Sequence, residues 1–141
     1  MPGGTALKQL PTLAAGVLLT FAAATAIGGT VVEALLAGYR GAGASAFDAT
    51  RGKALYNGTF PGEKPSEVRQ CTTCHGVDPN KPGLHPRTGK TIAPLSPGAN
   101  PARLQNPDEV EKWFQRNCTW TLGRPCTPQE KGDFLTYLQG L

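Results

Sequence analysis

The spacing of apolar residues predicts two short helices in the first half of the chain. One is predicted over Val31–Tyr39 and the other over Ala49–Tyr56, where Gly52 and Tyr56 lie one helical turn apart. Apolar residues in the first recur every three or four positions, the period of one helix face: Val32, Leu35, Leu36 and Tyr39. From residue 57 to residue 100 proline and glycine interrupt the pattern, so this stretch is predicted to form loops.

Two later helices have clear start signals. Asn106-Pro107-Asp108-Glu109 and Thr127-Pro128-Gln129-Glu130 each combine a capping residue, a proline at the first helical position and a glutamate at the third. The first of these helices carries a stripe that includes one amide: Val110, Trp113, Phe114 and Asn117. The second carries its stripe at Phe134, Leu135 and Leu138, with Tyr137 beside it and Gly140 as a stop. The pattern as a whole indicates a helical domain.

The N-terminal segment is apolar, uncharged and rich in small residues. Its apolar part, Leu10–Ile27, ends in Ala24-Thr25-Ala26, a small-x-small pattern suited to signal peptidase. We predict a signal peptide over residues 1–26 and a single domain over residues 27–141. An uncleaved membrane anchor is the alternative, because the uncharged run, which continues to Val32, reaches the about 20 residues that span a bilayer. In both cases we expect a periplasmic domain, in a compartment that permits disulfides.

Composition and charge narrow the class of function. The 141 residues carry a net charge of +4, and seven lysines and arginines cluster between residues 51 and 90. These are Arg51, Lys53, Lys64, Arg69, Lys81, Arg87 and Lys90. Such a block predicts an acidic partner, but it does not show the basic-aromatic pattern that is typical of nucleic-acid binding. Paired carboxylates and a nucleophile triad are also lacking, so we expect a protein that is not an enzyme.

The chemistry of the chain centres on one pentapeptide. Cys71-Thr72-Thr73-Cys74-His75 has the C-x-x-C-H spacing of c-type haem attachment, in which two thiols add to haem vinyl groups and His75 binds the iron. A thioredoxin-like redox pair would need a strand before the motif, and none is indicated. A zinc site would need Cys118 and Cys126, whose seven intervening residues exceed the usual two to four. The motif therefore predicts one covalently bound haem c.

The second axial ligand is left open by the residues alone. The single methionine is Met1, so a methionine ligand is excluded once the chain is processed. His85 is the remaining histidine, and imidazole is a far commoner haem ligand than an amide. On these grounds His85 and an open position rank level, with Asn117 behind both. Cys118 and Cys126 most simply form a disulfide, worth about 2–3 kcal/mol by loop-closure entropy, and free thiols are the alternative.

Several segments of the chain resemble a known family of monohaem cytochromes c, the sphaeroides haem protein family. They are Cys71–Gly76, Arg87–Lys90, Ile92–Leu95, Val110–Trp113, Arg116–Cys118, Gly123–Pro128 and Glu130–Lys131. The resemblance implies an all-α, class I-like cytochrome c fold wrapped on one haem, a Cys118–Cys126 disulfide, and Asn117 as the ligand of ferric iron. A related branch, cytochrome c'' (c double-prime), carries histidine at that position.

The resemblance also implies a function. In that family the distal asparagine leaves on reduction, so the reduced protein binds O2, NO or CO, and a dihaem or other c-type cytochrome is the redox partner. A neutral amide suits Fe(III) better than Fe(II), which makes such lability chemically reasonable. Slow O2 reduction is compatible with this role. The alternative is a plain electron carrier whose haem stays six-coordinate, with His85 or Asn117 as the sixth ligand.

Three further residues are candidates for haem contacts. Arg87 and Lys90 are positioned to pair with haem propionates, or are solvated loop charges. Trp113 is a candidate for the distal wall, together with Phe114, Trp120 and Leu122, or is simply a core residue. With the resemblance, His85 becomes a loop residue to which the family assigns no role.

Overall fold

The computed structural model of the chain describes Met1, Gly3, Gly4, residues 29–64 and residues 66–141. It is helix-rich, with five helices in this part of the chain: α1 (Gly29–Gly41), α2 (Ala49–Asn57), α3 (Thr72–His75), α4 (Pro107–Leu122) and α5 (Pro128–Gln139). The predicted signal segment, residues 1–26, lies outside the described residues except for Met1, Gly3 and Gly4. Across the described ranges no helix is both long and apolar enough to span a bilayer.

Two short antiparallel ribbons lie in the stretch that was predicted to be loops. Phe60–Pro61 (β1) pairs with Val68–Arg69 (β2), and Gly83–Leu84 (β3) pairs with Thr91–Ile92 (β4). The prediction of loops was therefore incomplete between residues 57 and 100. Strands of two residues cannot display the alternating pattern by which a strand is read from a sequence, so their absence from the prediction has a simple cause.

The helix boundaries follow from capping. The Asn106 side chain accepts hydrogen bonds from the backbone N–H groups of Asp108 (3.0 Å) and Glu109 (3.1 Å) at the start of α4. Thr127 and Glu130 form a reciprocal capping box at the start of α5. Helix α4 ends at Gly123, whose φ of 70° is the left-handed conformation that favours glycine. These capping interactions fix where α4 and α5 begin and where α4 ends.

Helices α2 and α5 cross in close contact. A Cβ added at Gly52 of α2 would lie 2.1 Å from the backbone oxygen of Asp133 in α5, so a side chain has no room there. Asp133 is buried, and its carboxylate accepts from Arg51 Nε at 2.7 Å and from Asp48 N at 2.7 Å. This pairing holds the N-terminus of α2 against the middle of α5.

Two apolar clusters form the core. The first joins α1, α4 and α5 through Val32, Tyr39, Val110, Phe114, Cys118, Cys126 and Leu135. The second, which we call the Tyr56 cluster, consists of Tyr56, Tyr137 and Leu138, with Cys71, Leu95, Leu104 and Phe134 packed against it. Tyr137 is thus buried and Phe134 only partly so, the reverse of the predicted order on α5. Because Cys71 packs on the Tyr56 cluster, the core reaches the candidate attachment motif directly.

Candidate functional site

The C-x-x-C-H motif occupies a single helical turn. Cys71 precedes α3, and its carbonyl accepts from the N–H groups of Cys74 (3.3 Å) and His75 (3.1 Å). Neither cysteine takes part in the disulfide of the described residues, and both are partly buried. Gly76, with φ of 70°, ends the turn. One turn therefore carries two thiols and an imidazole in a fixed relation, which is the arrangement that covalent haem attachment needs.

Neighbouring elements hold this turn from two sides. The hydroxyl of Tyr56, a fully buried residue, donates to the carbonyl oxygen of Gly76 at 2.5 Å. On the other side, a Cβ added at Gly83 would lie 2.1 Å from the carbonyl oxygen of Cys74. The β3–β4 ribbon thus presses on the motif so closely that only glycine fits at position 83.

The thiols do not have the character of a redox pair. Burial raises the pKa of Cys71 to about 11 and also raises the pKa of Cys74. A catalytic C-x-x-C pair instead needs a lowered thiol pKa and a position after a strand of a βαβ unit. A zinc cluster is also unsupported, since no group of three or more ligating side chains occurs in the described residues.

His75 is held in its neutral form. Burial is the main cause that lowers its pKa to about 4, and the nearby cation of Arg103 adds to the effect. Iron binds the neutral imidazole, so at neutral pH this side chain is in its ligating state. Arg103 itself is fixed by bonds from its guanidinium to the carbonyl oxygens of Pro94 (2.8 Å) and Ala93 (2.8 Å).

Helix α4 presents two parallel stripes rather than one. The buried stripe consists of Val110, Phe114, Cys118 and Thr121. The second, which we call the tryptophan stripe, consists of Trp113, Asn117 and Trp120, with the two indoles 43% and 42% exposed. Val110 and Phe114 of the predicted stripe are buried, whereas Trp113 and Asn117 are exposed. Successive residues turn by about 100°, so Asn117 lies about 20° from Val110 at the border of the buried stripe, and Trp113 and Trp120 lie about 60–80° from Val110 on the same side.

The tryptophan stripe lies next to the attachment motif. Arg69, two residues before Cys71, donates from Nη1 to the carbonyl oxygen of Trp120 in this stripe at 2.8 Å, and a side-chain hydrogen bond from Thr121, one turn after Asn117, acts to lower the pKa of the Cys71 thiol. This face of α4 therefore offers two indoles and one amide, a weak oxygen donor. A haem attached at Cys71 and Cys74 would be held by His75, and the indoles and the amide are the kinds of side chain that would suit its other side.

The remaining cysteines are joined to each other. Cys118 and Cys126 form a disulfide, with an S–S distance of 1.97 Å and a Cα–Cα distance of 5.5 Å. It connects the end of α4 to the start of α5 directly after Asn117. These two sulfurs are therefore not available to a metal site with Cys71 and Cys74.

His85 has a structural role at the turn between β3 and β4. Its Nδ1 accepts hydrogen bonds from the backbone N–H groups of Arg87 and Thr88, each at 3.3 Å. In the neutral imidazole the proton then lies on Nε2. Iron binding through Nε2 would require the opposite tautomer, so these bonds disfavour His85 as a ligand.

Arg87 and Lys90 lie exposed at the same turn. Neither side chain forms an ion pair with another described residue, and β3 of this ribbon contacts α3. Their pairing with haem propionates stays a prediction. Two other arginines near the motif, Arg69 and Arg103, were missed as site residues, because their contacts lie far along the chain and leave no local signal.

Comparison with known proteins agrees with this chemistry. A family described as "Domain of unknown function (DUF1924)" matches residues 42–138. The cytochrome c-type protein SHP of Cereibacter sphaeroides is 49% identical over 111 residues, which cover 79% of this chain and 84% of SHP. Cytochrome c'' of Methylophilus methylotrophus is 38% identical over 89 residues, 63% of this chain and 61% of that protein.

Solved structures show the same similarity in three dimensions. A structure of oxidized SHP, described as an oxygen binding cytochrome c, superposes with a TM-score of 0.71 at 47% identity, covering 78% of this chain and 96% of that one. Oxidized cytochrome c'' from Methylophilus methylotrophus gives a TM-score of 0.68 at 33% identity, with coverage of 78% and 94%. A solution structure of the same cytochrome, concerned with haem-ligand detachment, gives 0.65 at 33% identity, with coverage of 79% and 90%.

Proposed function

The chain belongs to the family of c-type cytochromes that includes SHP and cytochrome c'', and from this premise we propose that it transfers electrons and, when reduced, releases Asn117 and binds a diatomic gas. As a member of this family it carries one covalently bound haem c. The bound iron supplies the change of oxidation state and one exchangeable ligand position. O2, NO and CO are the candidate gases, and SHP is itself described as oxygen binding.

The position of Asn117 carries the proposal. Asn117 lies between Trp113 and Trp120 along α4, one turn before Thr121, whose side-chain hydrogen bond acts on the Cys71 thiol. An amide oxygen is a hard and weak donor, which binds Fe(III) better than Fe(II). A chain whose single methionine is Met1 lacks the thioether ligand found in other cytochromes, and an amide in its place is suited to loss on reduction.

The other residues have the following proposed roles. Cys71 and Cys74 hold the haem through thioether bonds, and the neutral His75 is the proximal ligand. Arg87 and Lys90 pair with the propionates from the exposed turn. Trp113 shields the side of the haem opposite His75. Two cations lie over its ring, Arg116 at 5.2 Å and Lys112 at 5.7 Å from the ring centroid.

The setting of the protein is part of the proposal. We expect export to the periplasm and a dihaem or other c-type cytochrome as the redox partner, attracted by the basic residues between 51 and 90. Contact with the membrane is expected only if the N-terminal segment stays uncleaved. Gas binding and electron transfer do not require an enzyme activity, although slow reduction of O2 is compatible with both.

Optical spectra of three states test the proposal. We expect a low-spin ferric haem, a high-spin ferrous haem after dithionite, and a large shift on adding CO. Asn117→Ala should give a high-spin ferric haem, because the sixth ligand is removed. Gln115→Ala is a matched control, since it deletes an exposed amide on the same helix.

The alternative function predicts different spectra. A ferrous haem that stays low-spin and ignores CO would identify a plain electron carrier. If His85→Ala rather than Asn117→Ala produces the high-spin ferric haem, the ligand assignment is wrong. The hydrogen bonds to Nδ1 of His85 lead us to expect the opposite result.

A further inference from the structure

Arg69 is the buried member of the basic block. Its residue surface is 9% exposed, whereas the other six lysines and arginines of that block are exposed. A buried charge is tolerated only when it is paired. The guanidinium donates to Glu67 Oε1 at 2.9 Å and lies 3.3 Å from Glu63 Oε1. Its other contacts are with Trp120 of α4.

Arg69 binds Trp120 in two ways at once. Its Nη1 donates to the Trp120 carbonyl oxygen at 2.8 Å, and its guanidinium carbon lies 5.2 Å from the centroid of the indole. Trp120 is in the last turn of α4, where carbonyl oxygens lack helical partners and a cation is favourable. The planar guanidinium also stacks favourably on an indole. One side chain thus restrains both the backbone and the ring of Trp120.

This contact connects the two sides of the candidate haem site. Arg69 is two residues before Cys71, at the entrance to the attachment motif. Trp120 is three residues after Asn117, so the two residues are neighbours on the surface of α4. The restraint at Trp120 therefore acts on the helix turn that carries Asn117.

We propose that Arg69 is a positioning residue for the distal ligand, setting how firmly Asn117 binds by holding the end of α4 and Trp120 against the attachment segment. The inference rests on the proposed function, in which Asn117 binds ferric iron. A weak amide donor tolerates little loss of alignment, so loosening this contact weakens its ligation. If ligation to Fe(III) alone weakens tenfold, the reduction potential rises by about 59 mV for this one-electron couple.

Imidazole binding to the ferric holoprotein is the decisive measurement. Imidazole competes with Asn117 and is neutral, so its affinity reports ligation rather than the lost charge. Arg69→Met should bind imidazole about tenfold more tightly, show more high-spin ferric haem and have a higher reduction potential. Loss of the positive charge alone would instead lower the reduction potential, because Glu63 and Glu67, left without their cation, stabilise the ferric state. Arg69→Lys keeps the charge but not the planar guanidinium, so its imidazole affinity should lie between that of the unsubstituted protein and that of Arg69→Met.

Arg124→Met is the matched control. Arg124 also lies at the end of α4 and forms an ion pair with Glu130 at 2.7 Å, but its guanidinium bonds to Glu130 and to the Pro125 carbonyl oxygen rather than to Trp120. It should lower the unfolding midpoint and leave imidazole affinity unchanged. If Arg69→Met behaves in the same way, Arg69 is only structural and the inference is overturned.

Two further variants keep the outcome decisive. If Arg69→Met yields no holoprotein, Trp120→Leu removes the stacking partner, and unchanged imidazole affinity in that variant overturns the inference. Asn117→Ala separates this failure from failure of the proposed function. A low-spin ferric spectrum in Asn117→Ala would refute Asn117 as ligand, whatever the Arg69 variants show, and the inference would fall with it.

Discussion

At His85, two backbone N–H groups donate to the same ring nitrogen, and this determines which tautomer the neutral ring adopts. With Nδ1 accepting from Arg87 and Thr88, the neutral ring carries its proton on Nε2. The sequence alone ranks this histidine above Asn117, because imidazole is the commoner ligand. Nothing in the residue types reveals that a turn already uses the ring, since the tautomer depends on backbone geometry.

The carboxylate of Glu130 links residue chemistry to stability. Its pKa is lowered from 4.5 to about 2, chiefly by hydrogen bonds from Arg124 and then by the backbone N–H of Thr127. A lowered folded-state pKa means stabilisation that is complete above the unfolded value and is lost as the pH falls towards the folded value.

Glu130→Gln should therefore destabilise the protein more at pH 7 than at low pH. We expect the difference in unfolding free energy between the native protein and the variant to shrink between about pH 5 and pH 2. Denaturant titrations of the ferric holoprotein at several pH values measure this. Thr136→Ala, on the same helix, is the control, because the Thr136 hydroxyl donates to the Gly132 carbonyl oxygen rather than to a carboxylate, so its effect should not follow that window. A pH-independent difference for Glu130→Gln would contradict the prediction.

At the scale of elements, the crossing of α2 and α5 depends on Gly52. We expect Gly52→Ala to lower the unfolding free energy by about 1–3 kcal/mol, because the added Cβ meets the backbone of Asp133 and forces the helices apart. Gly38→Ala in α1 is the matched control, since a Cβ there meets nothing within 4 Å. The control should stabilise by about 0.5–1 kcal/mol through helix propensity. Equal effects of the two changes would show that the crossing is not tight.

The elements also show which parts of the fold a sequence can predict. Helices α4 and α5 were located correctly because Asn106 and Thr127 cap them and prolines follow. Cap chemistry is local, so it can be read from neighbouring residues. The contact of Arg69 with Trp120 spans 51 positions, and that of Gly83 with Cys74 depends on a ribbon of two-residue strands. Neither has a local signal, which explains why the motif was predicted but its supports were not.

For the whole molecule, the Cys118–Cys126 disulfide joins the last turn of α4 to the start of α5. Replacing both cysteines by serine should lower the unfolding free energy by about 2–3 kcal/mol through the loop-closure entropy of the unfolded chain. Denaturant titration of the holoprotein measures this loss. Thr119→Ser, within the same loop, should have little effect. A double variant as stable as the unsubstituted protein would contradict the prediction. So would two titratable thiols in the unsubstituted protein when it is denatured without reduction.

The close packing around the attachment motif has a consequence for how the holoprotein is assembled. Gly83 lies against the carbonyl of Cys74, Tyr56 holds Gly76, and Cys71 is packed on the Tyr56 cluster with a thiol pKa of about 11. In the closed fold these contacts enclose Cys71, so its sulfur is hard for a haem vinyl group to reach. We therefore expect thioether formation to take place before the β3–β4 ribbon closes over the motif.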